Sequence, residues 1–189
     1  MIKKNIYLIS FSCLMKHAII ASACGMGNLQ MGQHSMDRMP QTPLGLMSGD
    51  DVYTDYKAFN VSYRETGIFG IVAKTRSQSA WNVAMAASEF LTNVGDLNFN
   101  QIDIGKQRLK LALALNDEDC CKQTENLALQ LANNVHLDSV MDAMALVDCI
   151  PNDEISCVAK CLSAKSRDMA LAVVGDVSCV PHDKEIMRG

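Results

Sequence analysis

The chain has 189 residues and a formal net charge of −4 at pH 7, from 17 Lys and Arg against 21 Asp and Glu. This length leaves room for one compact domain, and the acidic balance excludes a nucleic-acid-binding protein, which would need a basic surface for phosphates. Hydrophobic residues make up 49% of the chain and charged residues 20%. That composition favours a buried core and argues against wholesale disorder.

Residues 1–24 resemble a sorting signal. Lys3 and Lys4 precede an apolar run, and the small residues 21–23 follow it in a pattern typical of a cleavage site. Lys16 and His17 interrupt the apolar stretch, so it predicts no transmembrane span, which would need about 20 apolar residues. Two interpretations stay open: a secretory signal, or a divergent start that replaces other sequence.

Residues 25–51 are rich in Gly, Met, Gln and Pro, which predicts a flexible segment. Its five methionines either bind a partner or pack loosely on the domain. The ordered domain is then predicted over residues 52–189. Within it, residues 57–63 alternate between apolar and polar side chains and residues 68–73 are mostly apolar, with a turn ending in Gly67 between them. This pattern predicts an antiparallel hairpin of two strands.

Helical spacing follows the hairpin, and the last strong signal is an apolar run at residues 169–174 that predicts a central strand covered on both faces. The order of strand, strand, helices and strand predicts an α+β domain. The predicted helices run from a cap at Ser77 or Ser79 to about Val94, from a cap at Asn98 or Asn100 to about Leu131 with a bend at residues 117–119, over residues 137–147, and over residues 152–162 after Pro151. Met85, Met141, Met144 and Met169 are predicted core residues, and Trp81 is placed on the same helix stripe as Met85 and Ser88.

The eight cysteines contain no C-x-x-C motif, and their density is below that of small disulfide-rich scaffolds. Cys157 and Cys161 are four residues apart and would lie on one helix face, but a zinc site would need two further ligands. We therefore predict reduced, mostly buried thiols that pack as small hydrophobic residues.

No catalytic motif is present in the sequence. The four histidines, His17, His34, His136 and His182, form neither HExxH nor HxxEH. GxSxG, P-loop and GxGxxG motifs are also absent, and residues 25–32 resemble a glycine-rich loop only loosely. The acidic run at residues 117–119 has no His or Arg beside it, which predicts solvated helix surface. The sequence thus predicts no catalytic, cofactor-binding or metal-binding residue and no cofactor.

Several short strings resemble, in collinear order over about residues 25–186, the C-terminal domain of the core protein 2 family of the cytochrome bc1 complex. The strings are AFNVSY at 58–63, GIFGI at 67–71, NFNQI at 98–102 leading into GKQRLK at 105–110, residues 137–150 followed by PNDEI at 151–155, and residues 170–176. Core proteins are similar to mitochondrial processing peptidases and insulinase-type zinc proteases.

This resemblance implies a processing-peptidase-like α/β roll, in which a mixed, largely antiparallel sheet packs against helices. It also implies an incomplete domain, because a full family member would be more than twice this length and would carry strand and helix elements ahead of the hairpin. Since a missing strand leaves backbone groups and apolar helix faces uncovered, we expect a chain that needs a partner or associates with itself.

The resemblance further implies a non-catalytic structural subunit of respiratory-chain complex III, peripheral on the matrix side of the mitochondrial inner membrane. The HxxEH zinc motif of the superfamily belongs to the N-terminal domain of its catalytic members. Other complex III subunits, especially core protein 1, are the implied partners. One alternative is a non-catalytic α-type processing-peptidase subunit that pairs with a β-type subunit and binds presequences through residues 25–49. Another is a secreted, disulfide-bonded interaction protein.

Overall fold

The structure, a computed structural model, describes residues 2–26, 42–48, 51, 53–62, 67–132, 139–166 and 169–181. Helices dominate these residues, and two strands form one sheet. In chain order the elements are α1 (Ile2–Cys24), α2 (Pro43–Ser48), β1 (Asp55–Ser62), β2 (Gly67–Lys74), α3 (Ala80–Asn93), α4 (Phe99–Glu118), α5 (Cys120–Ala132), α6 (Val140–Cys149) and α7 (Asn152–Lys165). Short 3-10 turns at Ser77–Ser79 and Val94–Asp96 flank α3.

The predicted hairpin is confirmed, because β1 and β2 pair as an antiparallel sheet, and with it the α+β class. The turn residues 63–66 lie outside the described residues. On the opposite edge of β1, Met26 forms a parallel bridge with Ala58, whose N–H donates to the Gly25 carbonyl oxygen at 3.0 Å. Gly25 adopts φ +124°, a left-handed conformation that ends a helix readily when the residue is glycine.

Local signals in the sequence place several helix starts correctly. Asn98 precedes α4, and its N–H donates to the Gln101 Oε1 at 2.9 Å. The predicted bend is also confirmed: Asp119 has an extended backbone between α4 and α5, and its carboxylate accepts the Cys121 N–H at 2.9 Å. Such a bond satisfies one of the free N–H groups at the start of α5.

The prediction of a strand over residues 169–174 is wrong. These residues have no regular secondary structure, and Leu171 and Val174 are 46% and 99% exposed. A short apolar run indicates that a segment could be buried, but it does not supply the neighbouring strand that must pair with it. Across the described residues, the sheet comprises β1 and β2 alone.

One prediction about side-chain burial is also wrong. Met141 is 71% exposed rather than in the core. On α3, Trp81 is 45% exposed although Ser88, on the same stripe, is buried. A periodic pattern alone does not show which part of a helix stripe meets the core.

The structure divides into two compact units. The first is drawn from residues 1–23, 60–69 and 98–155, and the second from residues 24–59, 70–97 and 156–189. The predicted boundaries at residues 24 and 51 stay predictions, and most of residues 25–51 lies outside the described residues. In the part of the chain that the structure describes, no helix has both the length and the apolar character required to cross a membrane.

In the first unit, the end of α1 packs against α4. Ile19 and Ile20 are completely buried, and a Cβ placed at Gly105 of α4 would lie 2.7 Å from the Ala23 Cβ and 2.9 Å from its Cα and N. Real Cβ atoms do not approach that closely, so only glycine allows this contact between the two helix backbones. Lys16 of α1 also forms an ion pair of 2.7 Å with Glu154, in the first turn of α7.

Helix α6 packs on α4 in the same unit, and two lysines of α4 bind it. The Lys106 Nζ donates to the Ile150 carbonyl oxygen at 2.6 Å, just past the end of α6, where a cation offsets the helix dipole and the unpaired carbonyls. The Lys110 Nζ lies 2.8 Å from the Asp148 carboxylate. Ala143 and Val147 are buried between these polar contacts.

In the second unit, the ends of α3 and α7 are joined by hydroxyl groups. The Ser163 hydroxyl donates to the Thr92 carbonyl oxygen, and the Ser166 hydroxyl lies 3.4 Å from the Thr92 Oγ1. Near the hairpin, the Arg76 guanidinium carbon lies 3.1 Å from the centre of the Tyr53 ring, a cation–π contact. The cation–π contact joins the segments that precede β1 and follow β2.

The contact at Gly105 yields a first prediction. Replacing Gly105→Ala raises helix propensity, which alone would stabilise α4 by about 1 kcal/mol. Because the new methyl group overlaps Ala23, we expect instead a net loss of about 1–3 kcal/mol in the free energy of unfolding, measured by urea denaturation.

The control is the cycle with Ala23→Gly. Ala23→Gly alone should destabilise the protein, because it places a glycine in α1. In the double variant it removes the Cβ that the new methyl group meets, so the double variant should lose less stability than the sum of the two single losses. Strictly additive effects of the two substitutions would contradict the close approach of α1 and α4.

Candidate interaction surface

The described residues offer no assembled catalytic or metal site. No group of three His, Cys, Asp or Glu side chains is placed there to hold a metal ion. The His17 Nδ1 donates to the Cys13 carbonyl oxygen at 2.8 Å within α1. His34, His136 and His182 lie outside the described residues. That the chain has no catalytic, cofactor-binding or metal-binding residue therefore stays a prediction.

All eight cysteines are free thiols, but the prediction that most are buried is wrong. Cys24 alone is buried, and burial raises its pKa to about 12 because the thiolate would lose its hydration. Cys157 and Cys161 lie one turn apart on α7 as predicted, and both are exposed. The prediction failed because a small apolar side chain can be exposed at little cost. The cysteine residue type therefore does not determine whether the side chain is buried.

Helix α4 carries apolar residues on two opposite sides. Its buried stripe comprises Ile102, Gly105 and Leu109. A second stripe, here called the α4 outer stripe, comprises Ile104, Leu111 and Leu115, which are 48%, 61% and 54% exposed. Ile104 and Leu111 are each two residues beyond a buried residue, which places them about 200° around the helix from it. A helix that is apolar on both sides is normally covered on both sides, so the outer stripe is a candidate surface for another protein.

Helix α5 extends this apolar exposure. Its leucines, here called the α5 leucines, are Leu127, Leu129 and Leu131, with exposed fractions of 53%, 53% and 74%. Leu127 and Leu131 are one turn apart and therefore form a continuous ridge along the helix. Monomeric proteins rarely expose apolar groups in such clusters, and those that do commonly use them for association.

The acidic run between α4 and α5 is solvent-exposed, as predicted. Asp117 accepts a hydrogen bond of 3.3 Å from the Gln123 amide, and Asp119 lies 4.0 Å from the Lys122 Nζ. These exposed contacts contribute little energy and are screened by salt. The run is therefore solvated helix surface.

No family model matches the chain, but sequence comparison finds two relatives. One is a mitochondrial-processing peptidase subunit alpha from Solanum tuberosum, 27% identical over 129 residues, which are 67% of this chain and 25% of the relative. The other is a mitochondrial-processing peptidase subunit beta from Blastocladiella emersonii, 22% identical over 143 residues, which are 75% of this chain and 30% of the relative.

The fold is similar to that of a solved chain of complex III2 from Candida albicans, a structure with Inz-5 bound. The TM-score is 0.65 at 15% identity, over 79% of this chain and 36% of the solved chain. The predicted resemblance to the core proteins and processing peptidases is confirmed. The chain spans between a quarter and two fifths of the length of each of these proteins.

The two stripes of α4 yield a second prediction. Leu109→Ala should lower the free energy of unfolding by about 2–5 kcal/mol, since it leaves a cavity in the core. Leu111→Lys, two residues away, should change it by about 0.5 kcal/mol or less, because an exposed leucine loses no packing. Urea denaturation of both variants measures the difference, and equal losses would show that the outer stripe is covered within the chain.

The thiols yield a third prediction. Under native conditions at pH 8, seven thiols should react with Ellman's reagent and Cys24 should not, because burial keeps it protonated and inaccessible. Denaturation should release the eighth.

The Cys24→Ser variant identifies the slow thiol, since it should show seven thiols in both conditions. Fewer than eight thiols in the denatured wild type would instead indicate a disulfide, and would favour the secreted, disulfide-bonded alternative.

Proposed function

We propose that the chain is a non-catalytic structural subunit resembling core protein 2 of mitochondrial complex III, which supports assembly of the complex by packing. The observation that carries this proposal is the α4 outer stripe, Ile104, Leu111 and Leu115, on a helix whose other side is already buried in the core. The likeness in fold to a chain of complex III2 supports the same assignment.

The size of the exposed apolar surface is adequate for association. Covering one leucine side chain contributes about 1.5–3 kcal/mol when the cover is complete. The α4 outer stripe and the α5 leucines offer six large side chains, so covering part of them would offset the entropic cost of holding two proteins together.

A non-catalytic role is supported by the sequence itself. The printed chain contains no HxxEH motif, and a zinc peptidase of that class needs both histidines as metal ligands and the glutamate as general base. We infer that the chain contributes packing surface to a larger assembly and leaves any hydrolysis to other proteins.

The location and the partners follow from the same proposal. Both relatives carry the names of mitochondrial proteins, which supports a mitochondrial location, and we place the chain peripherally on the matrix side of the inner membrane. Its partners would be other complex III subunits, especially a core-protein-1-like subunit.

A charge-matched pair of substitutions tests the proposal. Leu111→Lys and Asn82→Lys each add one positive charge at an exposed helix position, and Asn82 lies on α3 and not on the α4 outer stripe. Leu111→Lys should lower the fraction of the chain that co-migrates with dimeric complex III on a native gel by about tenfold or more, because an unpaired charge would be buried. Asn82→Lys should leave co-migration unchanged.

Two results would contradict the proposal. One is a wild-type chain that is found only free in the matrix. The other is an equal loss of co-migration for both variants, since that would reflect the added positive charge and not the loss of an apolar contact on α4.

The second candidate is an α-type processing-peptidase subunit, which the 27% identity to such a subunit favours. In this case residues 25–49 would bind presequences, and most of them lie outside the described residues. A fluorescent presequence peptide, with a scrambled peptide as the control, separates the two candidates. Specific binding that strengthens on addition of a β-type subunit would favour the peptidase subunit, and the absence of binding would favour the structural subunit.

A further inference from the structure

Residues 169–174, here called the C-terminal segment, leave an unusual amount of apolar chain uncovered in the second unit. All six side chains, MALAVV, are apolar, and residues 170–174 are all exposed. In an extended chain, successive side chains point to opposite sides. Neither side of the segment is therefore packed against the unit.

Both ends of the C-terminal segment are nevertheless attached to the unit. At the start, the Met169 N–H donates to the Ser166 carbonyl oxygen at 3.3 Å. Beyond the end, the Ser77 hydroxyl donates to the Asp176 carboxylate at 2.8 Å. Hydrogen bonds from Ser178 and Ser77 lower the pKa of Asp176, so this acceptor is ionised at neutral pH. The segment is thus presented between two attachment points.

The same unit also presents an open sheet edge. β2 pairs with β1 on one side, and no strand in the described part of the chain pairs with its other side at residues 70–73. Ser77 follows the end of β2 by three residues, so the attachment at Asp176 brings the end of the C-terminal segment close to the end of β2. No backbone ladder joins the two within one copy of the chain.

An open edge and an unpaired apolar segment are complementary. The edge has backbone N–H and C=O groups without strand partners, which is a template for adding another strand. The segment has six apolar residues without proline, glycine or charge, and it includes two β-branched valines, so nothing in its composition prevents strand pairing. Because one chain carries both parts, two copies can exchange them reciprocally, and each contact is then formed twice about a twofold axis.

We propose that the C-terminal segment binds a second copy of this chain by adding as a strand to the outer edge of β2 at residues 70–73. Backbone hydrogen bonds would supply much of the affinity, and the apolar side chains would be covered by the pairing. This surface is separate from the α4 outer stripe, and the inference goes beyond the proposed function without depending on it.

Sedimentation velocity over about a hundredfold range of protein concentration tests the proposal. The wild type should form a reversible dimer. Ala172→Pro removes a backbone N–H and fixes φ, so it should weaken the dimer by about tenfold at each of two equivalent contacts, or about a hundredfold in all. Val174→Thr keeps the backbone and the β-branched shape, and it should weaken the dimer much less.

Three outcomes overturn the proposal. A wild type that is monomeric at every concentration is one. Equal weakening by Ala172→Pro and Val174→Thr is another, since it would indicate apolar contact without strand pairing. The third outcome comes from hydrogen exchange of the wild type, a measurement that does not depend on the folding of a variant. Residues 169–174 and 70–73 should gain protection from exchange together as the protein concentration rises. The absence of such a gain would contradict strand addition.

Leu111→Lys is the control that separates this proposal from the proposed function. It lies in the first unit and should leave the dimer unchanged. Loss of the dimer in Leu111→Lys would assign self-association to the α4 outer stripe instead and would overturn strand addition by the C-terminal segment.

Discussion

The first unit depends on one close approach between backbones, that of Gly105 in α4 and Ala23 in α1. Because no side chain separates the helices at this point, the end of α1 lies deep enough to bury Ile19 and Ile20 completely. The same contact fixes which side of α4 faces the core. The opposite side of α4, with Leu111, is then turned outward by helix geometry alone.

Features controlled by neighbouring residues in the chain were predictable. Asn98 before α4, the acidic bend at Asp119 and Pro151 before α7 all act through bonds or steric limits within a few residues. The hairpin was predictable for the same reason, since alternation and a glycine turn are local signals. The superfamily was inferred from several short sequence matches in collinear order, because no single motif in the chain specifies it.

Features controlled by distant neighbours were not predictable. The run at residues 169–174 has the composition of a central strand, but burial requires strands beside it and layers above and below. Met141 was assigned to the core from its place in a helical pattern, although spacing identifies a stripe without identifying what covers it. The thiols failed similarly: only contact with other elements separates Cys24 from its seven exposed counterparts.

The two-sided apolar character of α4 has a consequence for the supply of this chain in cells. Chaperones and proteases act on exposed apolar surface, and small differences in its coverage change the amount of a protein several-fold. A chain that exposes Leu111 and Leu115 whenever it is unassembled is therefore subject to clearance as an orphan subunit. Under the proposed function, its steady-state abundance would follow the synthesis of its partner more closely than its own.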